Sequence, residues 1–142
     1  MGRRRQARER ALQALYQMDS VGVGPDEALA SIMDNADEQD DAAVLHYAEV
    51  LVRGVTEHRE EIDRIIQEHS ANWRMDRMAR VDRNVLRIAT FELMHRQDVP
   101  HKVAINEAIE VAKRFGTEES GAFINGLLDK VAQRIRPGEG ER

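Results

Sequence analysis

The stretch VLHYAEVLVRGVTEHREEIDRIIQEH, residues 44–69, decides the fold. Its apolar residues Val44, Leu45, Ala48, Leu51, Val52, Val55, Ile62, Ile65 and Ile66 recur at three- and four-residue steps. That repeat puts side chains on one face of an α-helix. The spacing predicts one long helix ending near His69, the spine of the molecule. Gly54 inside it costs a helix about 1 kcal/mol against alanine, so a close helix crossing is expected there.

Outward toward the N-terminus, Asp37, Glu38, Asp40 and Asp41 form an acidic connector. Before it, Pro25 suits the first turn of a short helix, with Asp26 and Glu27 placed favourably against its dipole. Leu29, Ile32, Met33 and Ala36 are its expected buried face. Gly22 and Gly24 separate this element from an amphipathic helix over about residues 4–19, buried through Ala7, Ala11, Ala14, Leu15 and Met18.

Outward toward the C-terminus, residues 70–76 are a connector carrying the single tryptophan, Trp73, read as core. A helix over about 78–96 buries Val81, Val85, Ile88, Ala89 and Leu93. Pro100 precedes a helix over about 102–115, with Ile105, Ala108, Ile109, Ala112 and Phe115 inward. Gly116 is placed for a left-handed cap and Thr117 for an N-cap, with Glu118 and Glu119 in the next first turn. Ile124, Leu127, Leu128, Val131 and Ile135 line the last helix, which Pro137 ends. No segment alternates with period two. The fold class is all-α: a bundle of six or seven helices in one domain over 1–142. Its N-terminal half spans about 1–70 and its C-terminal half about 71–136, with 137–142 a frayed tail.

Composition narrows the chemistry. The 142 residues contain no cysteine, which excludes disulfides, a thiol nucleophile and Cys-bearing zinc sites. The basic N-terminus has no apolar run behind it and is not a secretory signal. No run approaches the roughly 20 apolar residues of a membrane span, and the reading is cytoplasmic. His46, His58, His69, His95 and His101 lack metal-ligand spacing, and there is neither a phosphate loop nor a nucleophile elbow. No catalytic, cofactor or metal-binding residues are expected.

Charge is uneven. The net charge is -5, yet Arg3, Arg4, Arg5, Arg8 and Arg10 crowd the start, opposed locally only by Glu9. On a helical wheel Arg5, Arg8, Leu12 and Tyr16 share one flank. Guanidinium groups beside an exposed ring suit RNA, because arginine binds phosphate bidentately and aromatic faces take unpaired bases. The alternative is a solvated arginine leader with Tyr16 sealing the core edge. Five arginines at a helix N-terminus also oppose the macrodipole, a conflict that an anionic ligand removes.

Four stretches together carry a resemblance. RRRQARERALQALYQ (3–17), VDRNVLRIA (81–89) followed by Glu92 and Leu93, VAINEAIE (103–110) after Val99-Pro100, and FINGLLD (123–129) are similar to the NusB family of transcription antitermination factors. The resemblance covers the chain in order. It implies an all-α fold of two helical halves and a non-enzymatic adaptor. Family members bind the boxA element of ribosomal RNA leaders, a single-stranded RNA, jointly with the ribosomal protein NusE. With other antitermination factors they help RNA polymerase read through terminators. By the same resemblance Arg4, Arg5, Arg8 and Tyr16 face RNA from the first helix, and Lys113, Arg114, Glu119 and Phe123 from a helix junction. Asp82, Arg83 and Ser70 face NusE.

The residues alone leave Phe123, at the edge of the last apolar stripe, open to either base stacking or packing. Lys113 and Arg114 also suit a helix C-terminus without any ligand. Two other roles stay in view. One is a protein-interaction scaffold; the other is the RNA-binding module of a ribosomal RNA cytosine methyltransferase, lacking its catalytic domain. A homodimer is compatible with the family.

Overall fold

The spine expected over 44–69 is two helices. In the computed structural model, which describes residues 2–139, α3 spans Ala42–Glu57 and α4 spans Arg59–His69, with His58 between them. The hydrogen-bond chain nearly survives the bend: the His58 N–H donates to the Gly54 carbonyl, and the His58 carbonyl accepts from the Ile62 N–H. Between Val55 and Ile62 there is no apolar side chain to hold the intervening turn to the core. Because those two residues sit seven apart, the apolar repeat stays in register across the bend and hides it.

The remaining elements are α1 (Gly2–Val21), α2 (Pro25–Asp34), a 3-10 turn (Met75–Arg77), α5 (Arg80–His95), α6 (His101–Phe115) and α7 (Ser120–Ile135). Seven helices and no strand occur among the described residues. The fold is all-α. Every side chain from Asn84 to Leu93 is buried, because α5 packs against α1, α3, α4, α6 and α7. The expected crossing at Gly54 is real: a Cβ there would lie 2.2 Å from Phe91 ring atoms of α5. Ala7, Ala11 and Ala14 are fully buried on α1, small side chains that bring its backbone close to α3.

Several local expectations are corrected. Met33 is exposed and α2 stops at Asp34, so Ala36 lies outside it; Ala28, Leu29 and Ile32 form the buried face. Gly116 is extended (φ -102°, ψ -153°), not left-handed. A side chain there would meet the Ser120 Oγ at 2.4 Å and the Ala112 carbonyl at 2.8 Å. Space, and not backbone sign, explains that glycine. Among the described residues the left-handed one is Gly22, φ +83°, just after α1 ends. Thr117, Glu118 and Glu119 precede α7; Thr117 does not cap it but donates its N–H to Ser120 Oγ at 2.9 Å.

Past α7 two side chains tie the chain back to the bundle. Arg136, buried, donates to the carbonyls of Leu93, Val99, Glu92 and Arg96 at 2.7–3.1 Å. Glu139 accepts the His101 N–H at 2.7 Å and faces its ring at 2.9 Å, closing the start of α6. The His101 N–H and then its ring hold the Glu139 carboxyl at a pKa of about 2. Residues 140–142, the rest of the expected tail, lie outside the described residues, as does Met1.

The candidate nucleic-acid interface

The flank of α1 that the wheel assigned to RNA does not lie on the surface as a whole. Leu12 is buried, and the Arg8 side chain is only 5% exposed. Arg8 reaches into the core and grips Glu92 of α5 through three contacts of 2.9–3.1 Å. Glu92 is itself 1% exposed and also accepts the Tyr47 hydroxyl of α3. Burial, and then the Glu92 charge, raise the Tyr47 pKa, so the phenol stays a donor. Removing one member of such a buried pair strands the other, at about 3–5 kcal/mol. Arg8 therefore belongs to the fold, contrary to its expected place on an RNA-facing surface.

Its neighbours lie progressively further out. Arg5, half-buried, donates bidentately to Glu107 of α6 at 2.8 and 2.9 Å. That bond, more than any other influence, lowers the Glu107 pKa. Arg4 is exposed; it meets Asp98 at 3.3 Å and lies 4.2 Å over the Tyr47 ring. Arg3, more exposed still, pairs with Asp41 at 2.5 Å. Arg10 and Gln6 converge on the enclosed Asp40 at 2.9 and 2.8 Å. Tyr16 stands exposed two turns beyond Arg8.

These acids resolve the macrodipole conflict. They come from the connector before α3, from α5, from the turn after it and from α6, distances along the chain that local charge counting does not register. Arg4, Arg5 and Arg8, together with Asp98, Val99, Pro100, Val103 and Glu107, line an open cleft of about 230 Å³. Exposed ion pairs contribute about 0–1 kcal/mol each, so a phosphate can replace the carboxylates of Arg3 and Arg4. It cannot reach Glu92.

At the end of α6, Arg114 turns back to α1 and donates to Glu9 at 2.6 Å while its guanidinium lies 5.1 Å over the Phe115 ring. It stays 64% exposed, as does Lys113. A Cβ built on Gly121 would sit 3.5 Å from the Lys113 side chain, so the start of α7 lies directly beside this cationic end. There Phe123 is half-buried and Glu119 exposed. Trp73, expected in the core, is 58% exposed. Trp73 and Phe123 border two clefts. One, of about 200 Å³, includes Asp82 and Glu119; the other, of about 500 Å³, includes Ser70 and Lys130.

Of the expected partner-facing residues, Asp82 has a buried carboxylate oxygen without a hydrogen-bond partner among the described residues. The other two are engaged within the fold. Ser70 is buried and donates to the Ile66 carbonyl at 3.1 Å. Arg83 donates to Asp19 of α1 at 3.2 Å and to the Met75 carbonyl at 3.1 Å.

Comparison with known proteins decides the lineage. The NusB family pattern matches residues 5–133. This chain belongs to the NusB family. It is 56% identical over 134 residues to the transcription antitermination protein NusB of Myxococcus xanthus strain DK1622, covering 93% of this chain and 96% of that one. The NusB of Geobacter sulfurreducens is 52% identical over 135 residues, covering 95% and 97%.

Among solved structures, T. maritima NusB superposes with a TM-score of 0.86 at 38% identity, covering 98% of this chain and 97% of that one. A structure of antitermination factors NusB and NusE in complex with dsRNA gives 0.83 at 29% identity, covering 94% and 98%. The NusB-like fold is thus shared along essentially the whole chain. Among the described residues no helix is long and apolar enough to cross a membrane.

Two contributors to this surface lie outside the sequence expectations. Tyr47 supports Arg4 on its ring face and fixes Glu92 with its hydroxyl. Trp73 sits in a polar connector, a context that favours exposure and was available as a signal.

Proposed function

We propose that this chain is a non-enzymatic, cytoplasmic RNA-binding adaptor in transcription antitermination, engaging single-stranded boxA RNA together with NusE. The observation that carries the reading is the retention of Arg4, Arg5, Lys113 and Arg114 at the solvent face around the 230 Å³ cleft and the end of α6. Phosphates exchange for their carboxylate partners, while Tyr16 and Phe123 offer ring faces to unpaired bases. Glu119 borders the same path and sets its edge. Arg8 acts by holding α1 in place.

NusE meets the surface marked by Asp82, with Ser70 and Arg83 shaping it from beneath, and the pair hands the RNA to further antitermination factors and RNA polymerase. The chain works as one domain. The half over about 1–70 supplies the arginine helix, and the half over about 71–136 supplies the junction and the partner surface.

Fluorescence anisotropy with a boxA RNA, with and without NusE and across salt concentrations, tests this. Four phosphate contacts predict a log-log slope of roughly -3 on a single strand, and NusE should tighten binding. Equal affinity for a scrambled RNA, or a slope near zero, overturns it.

A further inference from the structure

We propose that His58, Glu61 and His95 form a binding site for a divalent transition metal of the Zn²⁺ type, at the seam between the start of α4 and the end of α5. One candidate ligand atom from each of the three residues lies within 4.8 Å of the others. The sequence conceals this convergence. His58 is the residue that caps the start of α4, Glu61 follows three positions later in its first turn, and His95 arrives from the last turn of α5. Only the packing of α4 on α5 brings the second imidazole across.

The donor set defines the ion. Two imidazoles and one carboxylate suit Zn²⁺, Ni²⁺ or Cu²⁺, whereas Mg²⁺ and Ca²⁺ require oxygen ligands. Zinc–ligand bonds of about 2.0–2.2 Å in tetrahedral geometry put donor atoms roughly 3.3 Å apart. Closing from 4.8 Å needs shifts on the order of 1 Å, within reach of rotamer changes in the exposed Glu61 and His95 side chains.

The surroundings leave these donors available. His69 and His101 commit a ring nitrogen to the Ile65 carbonyl and to Glu139. His58 and His95 instead stack on each other, ring centroids 4.1 Å apart, with His95 5.4 Å from the Phe91 ring. Phe91 is the side chain wedged over Gly54, so the seam beneath the site is closely packed and fixes where the two imidazoles start. Three protein ligands leave a coordination position for water. A metal held here bridges the α3–α4 bend to the end of α5, and so stiffens the joint that the apolar repeat did not reveal.

Isothermal titration of the full chain with ZnCl₂ should show one site. His95→Ala and His58→Ala should each weaken it by more than roughly tenfold, the loss that even an outer-shell partner causes. Glu61→Gln should weaken it less than either. His46→Ala, a change at an exposed histidine on α3, should leave it intact. Zn²⁺ should raise the melting temperature of the wild type but not of His95→Ala. If the histidine variants fail to fold, Co²⁺ absorption of the wild type decides instead: an intense visible band from a four- or five-coordinate nitrogen–oxygen site supports the proposal. Absence of saturable Zn²⁺ binding, absence of that band, or equal loss in His46→Ala overturns it.

Discussion

Arg4 and Arg8 stand one turn apart on α1, carry the same group and each pair with a carboxylate, yet they do opposite work. Arg8 is almost wholly buried against Glu92 of α5, which is itself 1% exposed. Arg4 rests on the Tyr47 ring with its carboxylate partner exposed. The difference lies in what surrounds the ion pair. A desolvated pair is expensive to break because the survivor has no solvent to return to, whereas an exposed pair exchanges partners at little cost. Counting arginines therefore overestimates the cationic surface, and the pairs with accessible carboxylates define the part that is left.

The sharpest way to break this comparison is Arg8→Ala, which should cost about 3–5 kcal/mol in urea denaturation by leaving Glu92 stranded. Adding Glu92→Gln to Arg8→Met should recover most of that loss, since the Tyr47 hydroxyl keeps an acceptor. A cost for Arg8→Ala no greater than for Arg4→Ala would erase the distinction.

Next in size are the ring faces. Tyr16→Ala and Phe123→Ala should each lose about 1–3 kcal/mol of RNA binding by anisotropy. For the exposed Tyr16, chemical stability should stay nearly unchanged; a fall in stability that accounts for the binding loss would return it to a packing role.

Acid should separate the same regions more gently. Arg5 lowers the Glu107 pKa more than any other influence. Burial pushes Asp98 and Asp40 upward but is outweighed, by Arg96 and Arg4 for Asp98 and by Arg10 and Gln6 for Asp40. All three carboxyls thus ionise below their unfolded values, and the unfolded chain binds more protons. Their contribution is complete above roughly pH 4.5 and drains away as pH falls through the lowered values. Denaturation midpoints measured from pH 7 downward should be flat and then fall; a rise on acidification contradicts the pairing.

The smallest effects belong to the outer cations. Arg4→Ala and Arg114→Ala should each change stability by about 0–1 kcal/mol and reduce the salt slope of RNA binding by roughly 0.7. An unchanged slope in both removes them from the interface.

Legibility followed the same division. The stripes of α1, α5, α6 and α7 were readable because buried apolar residues repeat with the helix, and Gly54 announced its crossing with Phe91. The bend at His58 was not, since Val55 and Ile62 keep the repeat across it. Trp73 misled because size and apolarity suggest burial, although its polar connector offers no second layer to cover it. The wheel puts Arg8 on the right flank of α1, and packing withdraws it beneath the surface. A wheel gives direction and not depth.

Local composition and periodicity determined that this chain is helical, where most helices lie, that its first helix is rich in arginine and that it has no cysteine chemistry. Those properties depend on neighbours within a few turns, which the order of residues specifies directly. Tertiary packing alone decided which arginines are withdrawn, which acids meet them, where Trp73 and Phe123 share a cleft and how His58, Glu61 and His95 converge. Each of these depends on groups tens of residues apart, and burial sets the strength of a charge contact only once both partners are in place.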